Sequence, residues 1–283
     1  MILGDTMIVN GKELLEKAKK NKIAIPQFNI NNLEWAKYIL EECNLNNSPV
    51  IIGVSQRTVE YMGGYKVVAS LIKELDSEMK LTIPVVIHLD HGKSFEECKK
   101  AIDSGFTSVM IDASSLPLEE NIEITKKVVE YAEKYTVTVE AEIGSIGNNV
   151  NLYTNVEEAI KFVKETKIDS LAPAIGSVHG IYKEAIILDI DLCKRISKET
   201  NLPLVLHGGS GIDETNLKDV VNAGISKINI NTELQIVWAN AVKKYLIENR
   251  TEYDPRNIIS AGEKEIKKII KEKIDILINK TKI

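Results

Sequence analysis

The run Ile83-Pro84-Val85-Val86-Ile87-His88-Leu89-Asp90-His91-Gly92, continued by KSFEEC to Cys98, decides how the chain is read. Its first half is a continuous apolar stretch rich in β-branched residues, the pattern of a parallel strand buried on both faces. Such a strand does not ordinarily finish in two imidazoles and a carboxylate. Polar groups removed from water cost free energy unless they are paired or bind a metal. The chain holds only four His: His88, His91, His179 and His207. Three of them close apolar runs, His91 after VVIHLD, His179 after LAPAIGSV and His207 after LPLVL, and each is followed at once by glycine (Gly92, Gly180, Gly208). Three neutral imidazoles brought together from three strand ends make a catalytic zinc site with its fourth position open. The plainer alternative is three unrelated loop histidines. His88 sits inside its run with no glycine after it, and reads as a satisfied core or supporting histidine.

Short apolar runs recur along the chain, at IAIPQFNI, SPVIIGVS, TIPVVIHLD, TSVMID, VTVEAEIG, IDSLAPAIG, LPLVLHGGSG and SKININ. Helical patterns such as LEWAKYILEEC, YKVVASLIKEL, FEECKKAIDSG and ELQIVWANAVKKYLIE separate them. Eight strands alternating with helices mean parallel βαβ units, and that number in 283 residues predicts a (β/α)8 TIM barrel. A doubly wound open sheet is the alternative. No linker or low-complexity segment interrupts the alternation, so a single domain over residues 1–283 is expected, with a C-terminal helical extension from about residue 253. In that extension Ile266, Ile269, Ile270, Ile274 and Leu277 form an apolar stripe at helical spacing, which predicts core or a subunit interface.

Composition narrows the function classes. Hydrophobic residues make up 44% and charged residues 27%, and the net charge is −5, which argues against a nucleic-acid partner. An anionic substrate stays open, because metal and backbone amides can make a local site positive. The three cysteines (Cys43, Cys98, Cys193) are scattered in helical segments without a CxxC, which predicts reduced thiols and a cytoplasmic protein. No apolar run approaches the ~20 residues of a membrane span, and the start lacks the order of a signal peptide.

In a (β/α)8 barrel the C-terminal strand ends converge on one mouth, where active sites lie. The polar groups expected there are Ser55 on strand two, Asp90 and His91 on strand three, Asp112 on strand four, and Glu140 and Glu142 on strand five. Beyond strand six comes His179, on strand seven His207, and on strand eight Asn229, Asn231 and Thr232. Two pieces read as phosphate cradles. His207-Gly208-Gly209-Ser210-Gly211 lets backbone amides approach an anion, and Asn229-Ile230-Asn231-Thr232 opens a helix whose free N–H groups favour negative charge. A tight turn plus a helix cap is the structural alternative. A Schiff-base lysine has no evident candidate, since Lys167 and Lys227 read as standing at strand beginnings, the wrong end of the barrel.

Taken together, HLDHG, SVMIDAS, VEAEIGSIG, AIGSVHGIYK, LPLVLHGGSGI and KININTEL resemble the class II, zinc-dependent fructose-bisphosphate and tagatose-bisphosphate aldolases, and the likeness runs from QFNINNLEW through YDPR. The resemblance implies a lyase of carbohydrate metabolism and glycolysis. It implies reversible cleavage of a phosphorylated ketose, a ketose bisphosphate, to dihydroxyacetone phosphate and glyceraldehyde 3-phosphate, and assembly as a homodimer or homotetramer. By resemblance, His91, His179 and His207 hold the catalytic zinc, and Asp90 moves the proton of the C4 hydroxyl. Asp112 and Glu142 hold a second metal position. Ser55, Gly180, Gly208, Gly209, Ser210, Asn229, Ile230, Asn231 and Thr232 contact the substrate. A monovalent cation (Na+ or K+) on backbone carbonyls near Val178, Gly180 and Gly208 is also implied. The metal's charge would keep Asp90 ionised and polarise the ketone.

Three segments depart from the family pattern. After Gly147 the family continues with an acidic mobile loop, often GGQEDD, to whose glutamate the resemblance assigns the proton at C3 of dihydroxyacetone phosphate. Here Asn148-Asn149-Val150-Asn151-Leu152-Tyr153 is shorter and carries no carboxylate. EAIILDI replaces a GEPNLGF-like segment, with Glu184 as a stand-in acid, and Glu263-Lys264 fall where an Arg and a Glu are usual. KININTEL is closer to the fructose branch, whereas YTNVEEA and DSLAPAIG look like the tagatose branch. An aldolase of inositol breakdown, a weakly catalytic phosphosugar-binding relative and a zinc hydrolase complete the alternatives.

Overall fold

The computed structural model describes residues 6–144, 153–180 and 186–278. Eight parallel strands close into a barrel in chain order, and the last pairs with the first. They are β1 (Ile25–Asn29), β2 (Val50–Ser55), β3 (Val85–Gly92), β4 (Ser108–Ile111), β5 (Thr138–Ile143), β6 (Ser170–Pro173), β7 (Leu204–Leu206) and β8 (Ile225–Ile230). The helices of the first half are α1 (Lys12–Asn21), α2 (Leu33–Leu45), α3 (Gln56–Tyr61), α4 (Tyr65–Met79), α5 (Phe95–Asp103) and α6 (Leu118–Ala132). Those of the second half are α7 (Val156–Thr166), α8 (Ile190–Thr200), α9 (Glu214–Ala223), α10 (Thr232–Glu248), α11 (Pro255–Ser260) and α12 (Glu263–Leu277). This is the (β/α)8 barrel that the alternation predicts. One connection is richer than its periodicity suggests: α3, a single short element, precedes α4, and the Ser55 hydroxyl caps it by accepting from the Thr58 amide at 3.3 Å.

Helix starts are fixed by polar caps just beyond the strand ends. Ser94, Asn155, Asp189 and Asp213 each accept an amide of the first turn of α5, α7, α8 and α9. Between caps, strand parity sorts the side chains. Val85, Ile87 and Leu89 of β3, Val139, Ala141 and Ile143 of β5, and Ile228 and Ile230 of β8 face outward into one core shared with the helices.

The opposite parity fills the barrel, and its filling is unusual. Layers of branched apolar residues are the rule inside such barrels. The bottom obeys it: Ile25, Ile51 and Val86 pack with Leu15 and Ala18 of α1, which plugs that end. Above this plug Met110, Ala172 and Val205 share the interior with polar side chains, and Gln27, His88, Ser108, Glu140 and Lys227 are all buried. Lys167 does cap α7, away from the mouth. Lys227 does not belong with it. It lies within β8, buried inside the barrel, with its Nζ 2.6 Å from Glu140 Oε2. The two-residue alternation of β8 places it on the axis one step below Asn229.

The C-terminal stripe is core. Ile266, Ile270, Ile274 and Leu277 are buried as α12 packs against α2 and α10, and the Leu277 carbonyl accepts the Ala24 amide at 3.1 Å. Ile269 is partly buried against the same core.

Candidate active site

The end of β3 builds the centre of the mouth. Its register against β4 shifts between Leu89 and Gly92, and His91 adopts φ +54°, left-handed backbone in which His is one of the tolerated residues. A β-carbon on Gly92 would stand 2.8 Å from the Met110 carbonyl oxygen and 2.9 Å from Cys98 Sγ. The glycine after His91 is thus required by the close approach of α5 and β4.

The ligand atoms of His91, His179 and His207 lie within 4.8 Å of one another. Ring centroids are 4.7 Å apart for His91–His207, 5.0 Å for His91–His179 and 5.7 Å for His179–His207. Carboxylates fix which nitrogens face inward. His91 Nδ1 donates to Asp112 Oδ2 at 2.8 Å, and His207 Nε2 donates to Glu140 Oε1 at 2.9 Å. That leaves His91 Nε2 and His207 Nδ1 facing each other at 3.0 Å. Tetrahedral zinc with bonds of 2.0–2.1 Å spaces its ligand nitrogens by about 3.3 Å, so the residues present fit such an ion. Burial opposes charge on His91, but the Asp90 charge and the Asp112 hydrogen bond outweigh it and raise the imidazole to about 9.

Asp112 and Glu142 gather on the other side of His91, and a nitrogen of His91 with one oxygen of each forms a second candidate cation group. In the structure Asp112 is already engaged, by His91, by the Lys93 ammonium and by the Ser114 hydroxyl at 2.8 Å.

Asp90 sits beside the imidazoles, with Oδ1 4.0 Å from His91 Nε2. Two amides orient it: Asn29 Nδ2 donates to Oδ2 at 2.7 Å and Asn229 Nδ2 to Oδ1 at 3.4 Å. Burial alone would raise its pKa, yet His91, His207, His88 and Lys227 more than compensate and hold the carboxyl well below the usual carboxylate range.

One cavity of about 250 Å³ collects most of the residues expected from sequence: Ser55, Asp90, His91, His179, Gly180, His207, Gly208, Ser210, Asn229, Asn231 and Thr232. Gly209 and Ile230 do not line it. Gly209 lies where a β-carbon would meet Ile228 Cγ2 at 2.4 Å, and Ile230 is buried in the outer core. The cradle has its own cap: the Ser210 hydroxyl accepts the amides of Asn231 (3.1 Å) and Glu233 (3.3 Å), binding the glycine turn to the start of α10. Asn229 turns its amide to Asp90 and His207, and Asn231 Oδ1 is buried without a protein partner among the described residues. A second cavity of about 660 Å³ shares Asn29, Ser55 and Asn231 with the first and continues past Arg57 and Trp238.

Asn29, Arg57 and the supporting role of Glu140 stand outside the site expected from sequence. Asn29 ends β1 as other mouth residues end their strands, a signal open to the same reading. Pairing of Glu140 with Lys227 across the barrel has no sequence signal. His88 is a supporting residue: its Nδ1 bonds Ser108 Oγ at 2.8 Å, its Nε2 lies 3.3 Å from Lys227 Nζ, and burial with Lys227 lowers its pKa to about 3. The departures at 148–152 and at Glu184 lie outside the described residues. Among the described residues no helix is long and apolar enough to cross a membrane.

The family model described as fructose-bisphosphate aldolase class-II matches residues 9–282. The chain is 49% identical over 267 residues to the fructose-bisphosphate aldolase of Geobacillus stearothermophilus, covering 92% of this chain and 93% of that one. It is 44% identical over 272 residues to the 6-phospho-5-dehydro-2-deoxy-D-gluconate aldolase of Bacillus subtilis (strain 168), covering 94% of each. Among solved structures, the YdjI aldolase of Escherichia coli K12 superposes with a TM-score of 0.84 at 32% identity, covering 95% of this chain and 97% of that one.

Proposed function

Because the chain belongs to the class II fructose-bisphosphate aldolase family, we propose that it is a zinc-dependent aldehyde-lyase whose substrate is fructose 1,6-bisphosphate, split reversibly into dihydroxyacetone phosphate and glyceraldehyde 3-phosphate. One observation carries the reading: an ionised, amide-oriented Asp90 stands beside three imidazoles whose inward nitrogens are spaced for one cation.

Retro-aldol cleavage of the C3–C4 bond needs a base on the C4 hydroxyl and an electron sink at the ketone. His91, His179 and His207 would hold zinc, which supplies the Lewis acid for the substrate oxygens. Asp90 takes the C4 hydroxyl proton as the bond breaks, and Asn29 and Asn229 keep it aimed. Gly208, Ser210 and the first turn of α10 receive the phosphate on the dihydroxyacetone side, where the helix dipole favours an anion. Asp112 and Glu142 serve as an alternative metal position beside His91. Gly180 and Gly208, with φ of +93° and +68°, line the same cavity, and their carbonyls with that of Val178 are our candidates for the monovalent-cation site. A lysine imine is not in reach: no Lys lines either cavity among the described residues, and Lys227 is held by Glu140.

The far end of the substrate would enter the larger cavity. Arg57 is the one Lys or Arg lining either cavity among the described residues, and it is exposed there. Arg57→Ala is expected to raise KM for fructose 1,6-bisphosphate several-fold with a smaller change in kcat, measured by coupled cleavage kinetics. The second reading is the substrate named for the Bacillus subtilis relative, an acid bearing one carboxylate and one phosphate. Side-by-side kcat/KM for this compound and for fructose and tagatose 1,6-bisphosphate tests the choice. The fructose compound ranks first on our reading, and a higher value for either other sugar reassigns the substrate.

A homodimer fits the surface of α10. Of its 17 residues only Leu234 is buried, while Ile236, Leu246 and Ile247 stand exposed along it. A cytoplasmic location fits three buried, unpaired cysteines.

A further inference from the structure

The barrel interior beneath the mouth holds a buried ion pair that the reaction does not use. Lys227 and Glu140 are 1% and 2% exposed and 2.6 Å apart, on strands that are not neighbours. A pair taken out of water repays its desolvation only when further hydrogen bonds satisfy both ions. Here they do, and they run in one direction. Glu140 Oε2 accepts from Lys227, while Oε1 accepts from His207 Nε2 at 2.9 Å. Lys227 also reaches His88 Nε2 at 3.3 Å, and His88 in turn bonds Ser108 at 2.8 Å. A chain of polar contacts thus rises from the floor of the barrel to His207, and on the far side of the cluster Asp112 backs His91 in the same way.

We propose that the Lys227–Glu140 pair is a positioning device for the metal site: Glu140 fixes the tautomer and ring angle of His207 so that Nδ1 faces the ion, and Lys227 holds Glu140 in place. This rests on the zinc reading given above. Carboxylate and imidazole form the arrangement that orients histidine ligands and raises their basicity, and loss of such a partner costs ~10–100-fold in metal affinity. Glu140 would act with no access to the cavity, which it does not line. Lys227 is needed because Glu140, without a counter-charge, would be an unpaired buried anion beneath the mouth.

The experiment measures zinc affinity by competition with a chromogenic chelator, and metal-free thermal stability, in the full-length wild type and in three variants. Glu140→Gln, close to isosteric, is expected to bind zinc ~10–100-fold more weakly. Glu140→Gln and Lys227→Met each leave one buried group unmatched and should lower the metal-free Tm. The double variant leaves neither charge alone, so its Tm should recover towards wild type while its zinc affinity stays weak. Wild-type zinc affinity in folded Glu140→Gln overturns the proposal. Zinc affinity that recovers together with Tm in the double variant also overturns it, by making the pair purely structural. A wild type that binds no zinc removes the metal reading itself, and this inference with it.

Discussion

Asp90→Ala is expected to lose ~10²–10⁴-fold in kcat, the contribution of a positioned general base, while zinc stays bound at one ion per chain. The separation of effects follows from the geometry. The inward nitrogens of His91 and His207 are set by Asp112 and Glu140, not by Asp90. Removing Asp90 deprives Asn29 and Asn229 of an acceptor but leaves those two supports intact. Asp90→Asn keeps the volume and cannot accept a proton at neutral pH, so it should lose as much activity as the alanine variant. Cleavage kinetics alongside zinc analysis of the same samples read both quantities. Retained turnover in both variants takes Asp90 out of the chemistry.

Loss of the metal itself should be produced by His91→Asn. His91 belongs to both candidate cation groups, so no other single position disturbs as much. Asparagine is the replacement of choice because it tolerates the left-handed backbone that His91 occupies at φ +54°, where alanine would add strain. The variant should fold, retain less than one zinc per chain after dialysis, and lose the metal-dependent activity. The fall in affinity should exceed the ~10–100-fold expected for a supporting partner. Metal analysis, circular dichroism and kinetics on one preparation check all three. Full zinc occupancy in the folded variant contradicts the assignment of His91.

The alternation that defines the barrel was legible because each strand is a short apolar run and each helix a periodic one. Helix α3 was not, because six residues after Ser55 are too few to show a period. The three histidines were legible from one local regularity, an imidazole and then a glycine at the end of an apolar run. The structure explains the glycine in one case: at Gly92 a side chain would collide with Met110 and Cys98. Lys227 differs from its expected place because a basic residue early in a strand has the pattern of a solvated end. Only the third dimension shows Glu140 across the barrel from it. Arg57 gave no signal, since its place on the wall of the larger cavity depends on how α2, α3 and α10 come together.

Metal-assisted aldol cleavage by this chain's own residues is put to the test by a coupled cleavage assay on zinc-loaded protein with fructose 1,6-bisphosphate. The same preparation is assayed before chelation, after chelation, and after zinc is restored. Cleavage that disappears with the metal and returns with it is the predicted result. Cleavage that persists in protein shown to be free of metal, or none in protein shown to hold zinc, rules out metal-assisted cleavage of this substrate.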